Sequence, residues 1–121
     1  MAQLPYLEHP YVAKIEFYEN VENRDGKLEK TGFKKGRIIS PFYFVLEVKE
    51  LENSGELAVN FYDKEGKRVN RKAFGFGEDG QYYEYILFFD KVENLAPGNY
   101  RYAVFLNNKL IYENRIDISK D

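Results

Sequence analysis

The sequence predicts an all-β domain, built as a two-sheet antiparallel β-sandwich of about seven or eight strands. Apolar and polar residues alternate through most of the chain, and turn-forming residues separate these runs at short, regular intervals. Helical periodicity does not persist anywhere for as long as about ten residues. Short strands joined by hairpin turns favour two packed antiparallel sheets, and a closed barrel is the structural alternative.

The first strand is predicted over 13–18, where apolar and polar residues alternate. A hairpin turn follows, because Asp25-Gly26 readily adopts the positive φ values that a tight turn requires. The chain then returns as a weaker strand over 27–33.

The next strands have clear inward faces. Ser40-Pro41 marks the start of the first of them, since proline is tolerated at the first position of a strand. Turns over 53–55 and 63–66 introduce two further strands, the second of which covers 69–76. The residues expected to point inward are Phe42, Phe44, Leu46, Val48, Leu57, Val59 and Phe61.

A strand over 82–89 is apolar on both faces. We therefore expect it to be central in its sheet and covered on both sides. Two strands over 100–106 and 110–118 close the domain, joined by a reversal at Asn107-Asn108.

Length and composition favour one domain over 11–121, preceded by an arm or strap over 1–10. The absence of cysteine excludes disulfides, thiolate nucleophiles and zinc–thiolate sites. The N-terminal residues have no signal-peptide pattern, and no run approaches the roughly 18 apolar residues of a membrane span. We expect a cytoplasmic protein, and the high lysine and glutamate content resembles that of thermophilic proteins.

The formal net charge of −2 gives no overall field that would attract nucleic acid or anionic lipid. Two basic clusters, accompanied by Tyr43 and Tyr62, resemble a nucleic-acid surface in composition. Asp63 and Glu65 interrupt the second cluster, and charged edges also protect a sandwich from edge-to-edge pairing, so the pattern disfavours nucleic acid. The clusters are Lys30, Lys34, Lys35 and Arg37, and Lys64, Lys67, Arg68, Arg71 and Lys72.

Residues 75–80 match the dinucleotide-binding pattern G-x-G-x-x-G. That pattern binds pyrophosphate only where a helix follows it, and here the following residues favour a strand. Glu78 and Asp79 in the same loop are two oxygen ligands, too few for a calcium site. We interpret the segment as a glycine-rich hairpin loop.

The sequence offers no catalytic constellation. His9 is the only histidine, and the available hydroxyl groups lie at predicted turns, strand edges or the tail. Those hydroxyl residues are Thr31, Ser40, Ser54 and Ser119. We therefore expect a protein that is not an enzyme and that holds no metal or cofactor.

Aromatic content is the unusual feature, with 11 tyrosines, 10 phenylalanines and no tryptophan. Tyr18, Tyr43, Tyr62 and Tyr112 are expected to point outward and could form an interaction face, since tyrosine is enriched at protein interfaces. The alternative is that some belong to the core or are isolated surface residues. The leading hypothesis is a non-enzymatic protein-interaction or assembly module, including self-association. The second is a sandwich or barrel that binds a glycan or small apolar ligand through a Tyr- and Phe-lined surface.

The segment Leu95-x-Pro97-Gly98-x-Tyr100 resembles the entry to a late strand in immunoglobulin-like and fibronectin-type sandwiches. That resemblance implies that the Tyr100 hydroxyl bonds back to the backbone a few residues upstream. A wider resemblance links the chain to a bacterial family of single-domain proteins of unknown function, which implies a sandwich but no activity. The residues that carry it are Asp25-Gly26-Lys27-Leu28, Gly32-Phe33, Glu56-Leu57, Asp63, Gly66-Lys67 and Pro97-Gly98-Asn99-Tyr100-Arg101.

Overall fold

The computed structural model describes residues 12–33, 36–52, 55–77 and 82–120, with ten β-strands and no α-helix among them. The strands are β1 (Val12–Tyr18), β2 (Asn20–Arg24), β3 (Lys27–Thr31), β4 (Ile38–Ile39), β5 (Phe42–Glu52), β6 (Gly55–Tyr62), β7 (Arg68–Phe76), β8 (Tyr82–Val92), β9 (Gly98–Leu106) and β10 (Lys109–Ser119). The all-β prediction is confirmed. The arm predicted over 1–10 lies outside the described residues. Within the described ranges, no helix has the length and apolar character needed to cross a membrane.

Three sheets organise these strands. A three-stranded sheet has the order β1-β5-β8, and a five-stranded sheet has the order β4-β10-β9-β6-β7. Neighbours are antiparallel except β4 and β10, which pair in parallel. The third sheet is the β2–β3 hairpin.

The core lies where the inward faces of the three- and five-stranded sheets meet. The rings of Phe42 and Phe61 lie 5.9 Å apart between centroids, and those of Phe17 and Tyr102 lie 5.2 Å apart. Such edge-to-face ring contacts stabilise a core beyond the area that they bury. Every residue predicted to point inward on β5 and β6 is buried, as the alternation in the sequence indicated.

Two of the predicted hairpin turns have the expected backbone geometry. Asp25 and Gly26 have φ values of 51° and 83°, and Asn107 and Asn108 have φ values of 49° and 67°. Positive φ at both central residues is what lets a two-residue turn follow the twist of its strands. Asparagine, aspartate and glycine tolerate this conformation better than other residues, which is why the sequence predicted both turns.

Tyr100 makes the predicted bond to the backbone upstream of β9. Its hydroxyl donates to the carbonyl oxygen of Ala96 at 2.6 Å. Burial raises the pKa of Tyr100, and the nearby Asp63 carboxylate acts in the same direction. The neutral hydroxyl therefore remains the donor that ties the loop before β9 to the core.

The prediction that the strand over 82–89 is central is wrong. Among the described residues, β8 pairs with β5 alone and forms an edge of the three-stranded sheet. Phe88 and Ile86 pack against the core, whereas the outward Leu87 is 39% exposed. Leu87 therefore lies on a surface, and the sequence pattern alone did not distinguish a surface strand from a covered one.

Two of the ten described strands, β2 and β4, have no counterpart among the predicted strands. β2 has one buried residue, Val21, in an otherwise polar segment, and β4 has only two residues. Neither gives enough alternation to be recognised from the sequence. β2 forms because β3 pairs with it after the Asp25-Gly26 turn.

Candidate binding groove on the outer face of the five-stranded sheet

The four tyrosines predicted to form one face occupy different surfaces. Tyr18 and Tyr43 lie directly opposite each other in the β1–β5 pairing, on the outer face of the three-stranded sheet. Tyr62 lies on the outer face of the five-stranded sheet, because the preceding Phe61 points inward. Tyr112 packs against the core, with its ring 6.2 Å from that of Tyr102, so its expected outward direction is wrong.

The polar end of Tyr18 is already used within the chain. Its hydroxyl donates to Glu16 Oε1 at 2.5 Å, and the Lys30 ammonium lies 5.3 Å from the centroid of its ring. Burial and the hydrogen bond to Glu16 raise the pKa of Tyr18 to about 12. The same hydrogen bond lowers the pKa of Glu16. These contacts make Tyr18 part of a local network rather than a free binding residue.

A groove of about 450 Å³ lies on the outer face of the five-stranded sheet. Its volume is within the range of ligand-binding clefts. The residues that line it are Ala58, Asn60, Arg68, Arg71, Phe105 and Asn108. They come from β6, β7, β9 and the β9–β10 turn, so the sheet pairing itself brings them together.

Small side chains form the floor of the groove. Ala58 on β6 lies beside Ala73 of β7 and Phe105 of β9 in the sheet register, and Ala103 of β9 lies beside Asn60. Ala58 and Ala103 are 5% and 0% exposed although both point outward. A methyl group projects little, so the larger side chains on neighbouring positions cover it and form the walls.

Asn60 is the buried polar residue of this face, at 7% exposure. Its Nδ2 donates to the Tyr62 hydroxyl at 3.0 Å, whereas its Oδ1 has no hydrogen-bond partner in the described part of the chain. A buried polar atom without a partner costs about 1–3 kcal/mol of stability. Asn60 lines the groove, and rotation of its amide would turn this acceptor toward an N–H or O–H group of a bound molecule.

The arginines of this face differ in how far they are neutralised. Arg71 pairs with Glu56 at 3.2 Å, and Arg101 pairs with Glu113 at 2.9 Å while its guanidinium lies 4.1 Å from the centroid of the Tyr62 ring. For the exposed side chain of Arg68, no ion pair or hydrogen bond occurs with any described residue. Arg68 is thus the cation of the groove that remains available to an anion.

The turn between β9 and β10 is fixed against the start of β6. Asn107 donates its backbone N–H to the Glu56 carbonyl, and its Oδ1 accepts the Glu56 N–H, both at 2.9 Å. Gly55 allows this contact, because a Cβ there would lie 2.7 Å from Asn107 Oδ1. The turn that carries Asn108 is thereby held at one end of the groove.

Sequence reasoning found this site only in part. Arg68 and Arg71 belonged to a basic cluster interpreted as edge protection, and Tyr62 belonged to the expected tyrosine face. Asn60 was missed, together with Ala58, Phe105 and Asn108. The available signal was a single asparagine inside the otherwise apolar run of β6, Leu57-Ala58-Val59-Asn60-Phe61. A polar residue in a strand that is buried on both faces indicates a role other than core packing.

The glycine-rich segment and the acidic residues beside it are the parts of the sequence that bear on nucleotide and metal binding. After β7 and its glycine-rich end the chain continues as β8, so the helix that the G-x-G-x-x-G pattern requires does not follow it. Within residues 12–33, 36–52, 55–77 and 82–120, no group of three or more potential metal ligands occurs. Glu78, Asp79, His9 and Ser54 lie outside these ranges.

The basic cluster of Lys30, Lys34, Lys35 and Arg37 is not free along its described part. Lys30 lies over Tyr18, and Arg37 Nη2 donates to the carbonyl oxygen of Lys120 at 2.6 Å. Lys34 and Lys35 lie outside the described residues. Both described cations therefore have contacts within the chain.

Comparison of the chain with protein-family models and with curated protein sequences found no match.

Proposed function

We propose that the chain is an immunoglobulin-like β-sandwich that acts as a non-enzymatic protein-interaction module and binds its partner at the groove. The observation that carries this proposal is the buried Oδ1 of Asn60, which lacks a partner in the described part of the chain and lines an open groove. An acceptor in this position is unfavourable for the isolated domain and becomes favourable when a bound partner donates to it.

The strand order supports the immunoglobulin-like assignment. With the β2–β3 hairpin and β4 set aside, seven strands remain, of which the first, second and fifth share one sheet. The third, fourth, sixth and seventh share the other. Apart from the fourth, which immunoglobulin constant domains place with the first, second and fifth, this is the distribution in immunoglobulin-type sandwiches. The hydrogen bond from Tyr100 to Ala96 matches the corner tyrosine of those folds. Such folds present sheet faces and loops to many kinds of partner, so the fold itself does not specify the ligand.

Glycan binding is the second candidate, because Asn60, Asn108 and Phe105 line the same groove. Amide groups can bond to sugar hydroxyls, and an aromatic ring can pack against a sugar face. A small apolar ligand is not favoured, since two arginines and two asparagines are among the six lining residues.

The test uses two variants that each add an exposed tryptophan to the chain. Ala73→Trp places an indole beside Ala58, where it fills the groove, and Lys49→Trp places one on the outer face of the other sheet. Both positions are exposed, so both variants should keep the wild-type circular dichroism spectrum. The three proteins are immobilised and incubated with extract of the native host and, separately, with a glycan array.

A protein retained by the wild type and by Lys49→Trp but lost by Ala73→Trp supports the proposal. If sedimentation shows that the wild type self-associates and only Ala73→Trp is monomeric, the partner is a second copy of the chain. Glycan binding with the same dependence on Ala73, without a protein partner, favours the second candidate. Retention that is equal for all three proteins, or absent from all three, contradicts binding at the groove.

A further inference from the structure

We infer that the groove takes an acidic peptide segment of the partner, in an extended conformation, with one carboxylate on Arg68 and one N–H group on Asn60 Oδ1. This inference rests on the proposed function and specifies the chemistry of its ligand.

The arginines of this face differ in whether their charge is available to a ligand. Arg71 and Arg101 on this face are already paired with Glu56 and Glu113, whereas Arg68 has no carboxylate among the described residues. A guanidinium can bind a carboxylate through two parallel N–H groups, which gives both affinity and orientation. One available cation fits one carboxylate.

The buried acceptor Asn60 Oδ1 also limits which ligand fits the groove. Asn60 Oδ1 needs a donor, and a carboxylate cannot provide one. A peptide carries both groups, because its backbone supplies N–H donors at every non-proline residue while an aspartate or glutamate supplies the anion. An apolar ligand would satisfy neither Asn60 nor Arg68.

The spacing of Arg68 and Asn60 fits an extended peptide. Arg68 lies opposite Tyr62 in the β6–β7 register, and Tyr62 follows Asn60 by two residues on the same face. Two residues of strand span about 7 Å, which is also the repeat of an extended peptide. A backbone N–H above Asn60 and an acidic side chain about two residues away therefore match the two anchor points.

Nucleic acid fits this face less well. Nucleic-acid surfaces combine several free cations along a phosphate track, and each phosphate contact contributes separately to affinity. Here Arg71 and Arg101 are neutralised by Glu56 and Glu113, which lie beside the groove. The arrangement suits a single anionic group.

The test is selection from a phage-displayed library of random heptapeptides. The library is panned on the wild type, on Arg68→Glu, and on Lys49→Glu, which makes the same change of charge on the outer face of the other sheet. The wild type and Lys49→Glu should enrich peptides with aspartate or glutamate, and Arg68→Glu should lose them. Absence of enrichment on the wild type, or enrichment without an excess of acidic residues, overturns the inference. So does acidic enrichment that persists with Arg68→Glu.

Calorimetry with the best wild-type peptide then examines each anchor. Arg68→Glu and Asn60→Leu should each weaken binding about tenfold or more, because the first removes the cation and the second removes the acceptor. Glu56→Gln should tighten binding severalfold, since it releases Arg71 for the ligand carboxylate. Affinity unchanged in both Arg68→Glu and Asn60→Leu contradicts the assignment.

The capture experiment distinguishes failure of this inference from failure of the proposed function. A native partner that depends on Ala73 but shows no preference for acidic peptides leaves the proposed function standing and removes this inference. If the native partner does not depend on Ala73, the proposed function fails together with the site.

Discussion

The outer faces of the two larger sheets differ in how far their polar groups are bonded within the chain. On the three-stranded sheet, the Tyr18 hydroxyl donates to Glu16, and the β2–β3 hairpin places Lys30 over the Tyr18 ring. On the five-stranded sheet, Asn60 Oδ1 is buried without a partner among the described residues, and Arg68 has no carboxylate there. On the first face the Tyr18 hydroxyl and the Lys30 ammonium are engaged within the chain, whereas the second face retains groups for a ligand.

This difference shows that aromatic content alone is a poor guide to a binding face. Tyrosine is equally suited to a local network, to a core and to an interface, because it has an apolar ring and a polar end. Tyr18, Tyr112 and Tyr62 occupy such different surroundings in one small domain. Folding alone disfavours a buried polar atom without a partner. Two such atoms occur among the described residues, Asn60 Oδ1 and Asn70 Oδ1, and of these two residues Asn60 lines the groove.

The largest expected effect separates the shared core from both outer faces. Phe61→Ala removes a fully buried ring between the sheets and should lower the free energy of unfolding by about 3–5 kcal/mol. Leu87→Ala, on the outward side of β8, should lower it by less than about 1 kcal/mol because Leu87 is already exposed. Urea denaturation of both variants measures the difference. Equal losses would mean that the outer face of β8 is covered.

The next largest effect is expected from removal of the unsatisfied acceptor, Asn60 Oδ1. Asn60→Leu should raise the free energy of unfolding by about 1 kcal/mol, since it removes a buried polar atom without a partner at the loss of one hydrogen bond. The matched control is Asn99→Leu, because Asn99 donates to Asp117 and accepts from Arg115. This control should gain no stability in the same urea titration. Destabilisation of Asn60→Leu would show that Asn60 is satisfied in the free protein.

A smaller effect is expected on the other face. Tyr18→Phe should lower the free energy of unfolding by about 0.5 kcal/mol, since it removes a hydrogen bond to a carboxylate that is largely exposed. Tyr43→Phe, its direct neighbour across the β1–β5 pairing, is the control because no described residue bonds to its hydroxyl. Thermal unfolding of the two variants at neutral pH tests whether the face is internally satisfied.

The smallest signal is spectroscopic. Tyr18 ionises at about pH 12 in the folded protein rather than near 10, so folding favours its neutral form. Its contribution to stability is fully present below about pH 10 and is lost as the pH rises through about 12. The difference in phenolate absorbance between the wild type and Tyr18→Phe should therefore show one ionisation near pH 12. A difference centred near pH 10 would contradict the Tyr18–Glu16 hydrogen bond.

The local elements were predictable because their signals are local. The alternation that placed Phe42, Phe44 and Phe61 inward depends only on neighbouring residues, and so does the turn at Asn107-Asn108. The reversal of Tyr112 could not be foreseen in this way. A shift of register between Leu110 and Tyr112 lets both Ile111 and Tyr112 contact the core, and one extra residue in a strand moves the following side chains to the other face.

The chain by itself determined eight of the ten described strands, most of their inward residues and the turns at Asp25-Gly26 and Asn107-Asn108, because these follow from side-chain alternation and backbone preference. Only the tertiary structure decided that β8 lies at an edge and that Asn60 is buried on an outer face. Both depend on which strands become neighbours. Pairing between residues distant in sequence sets the surroundings of each side chain, and those surroundings leave Asn60 and Arg68 available to a ligand.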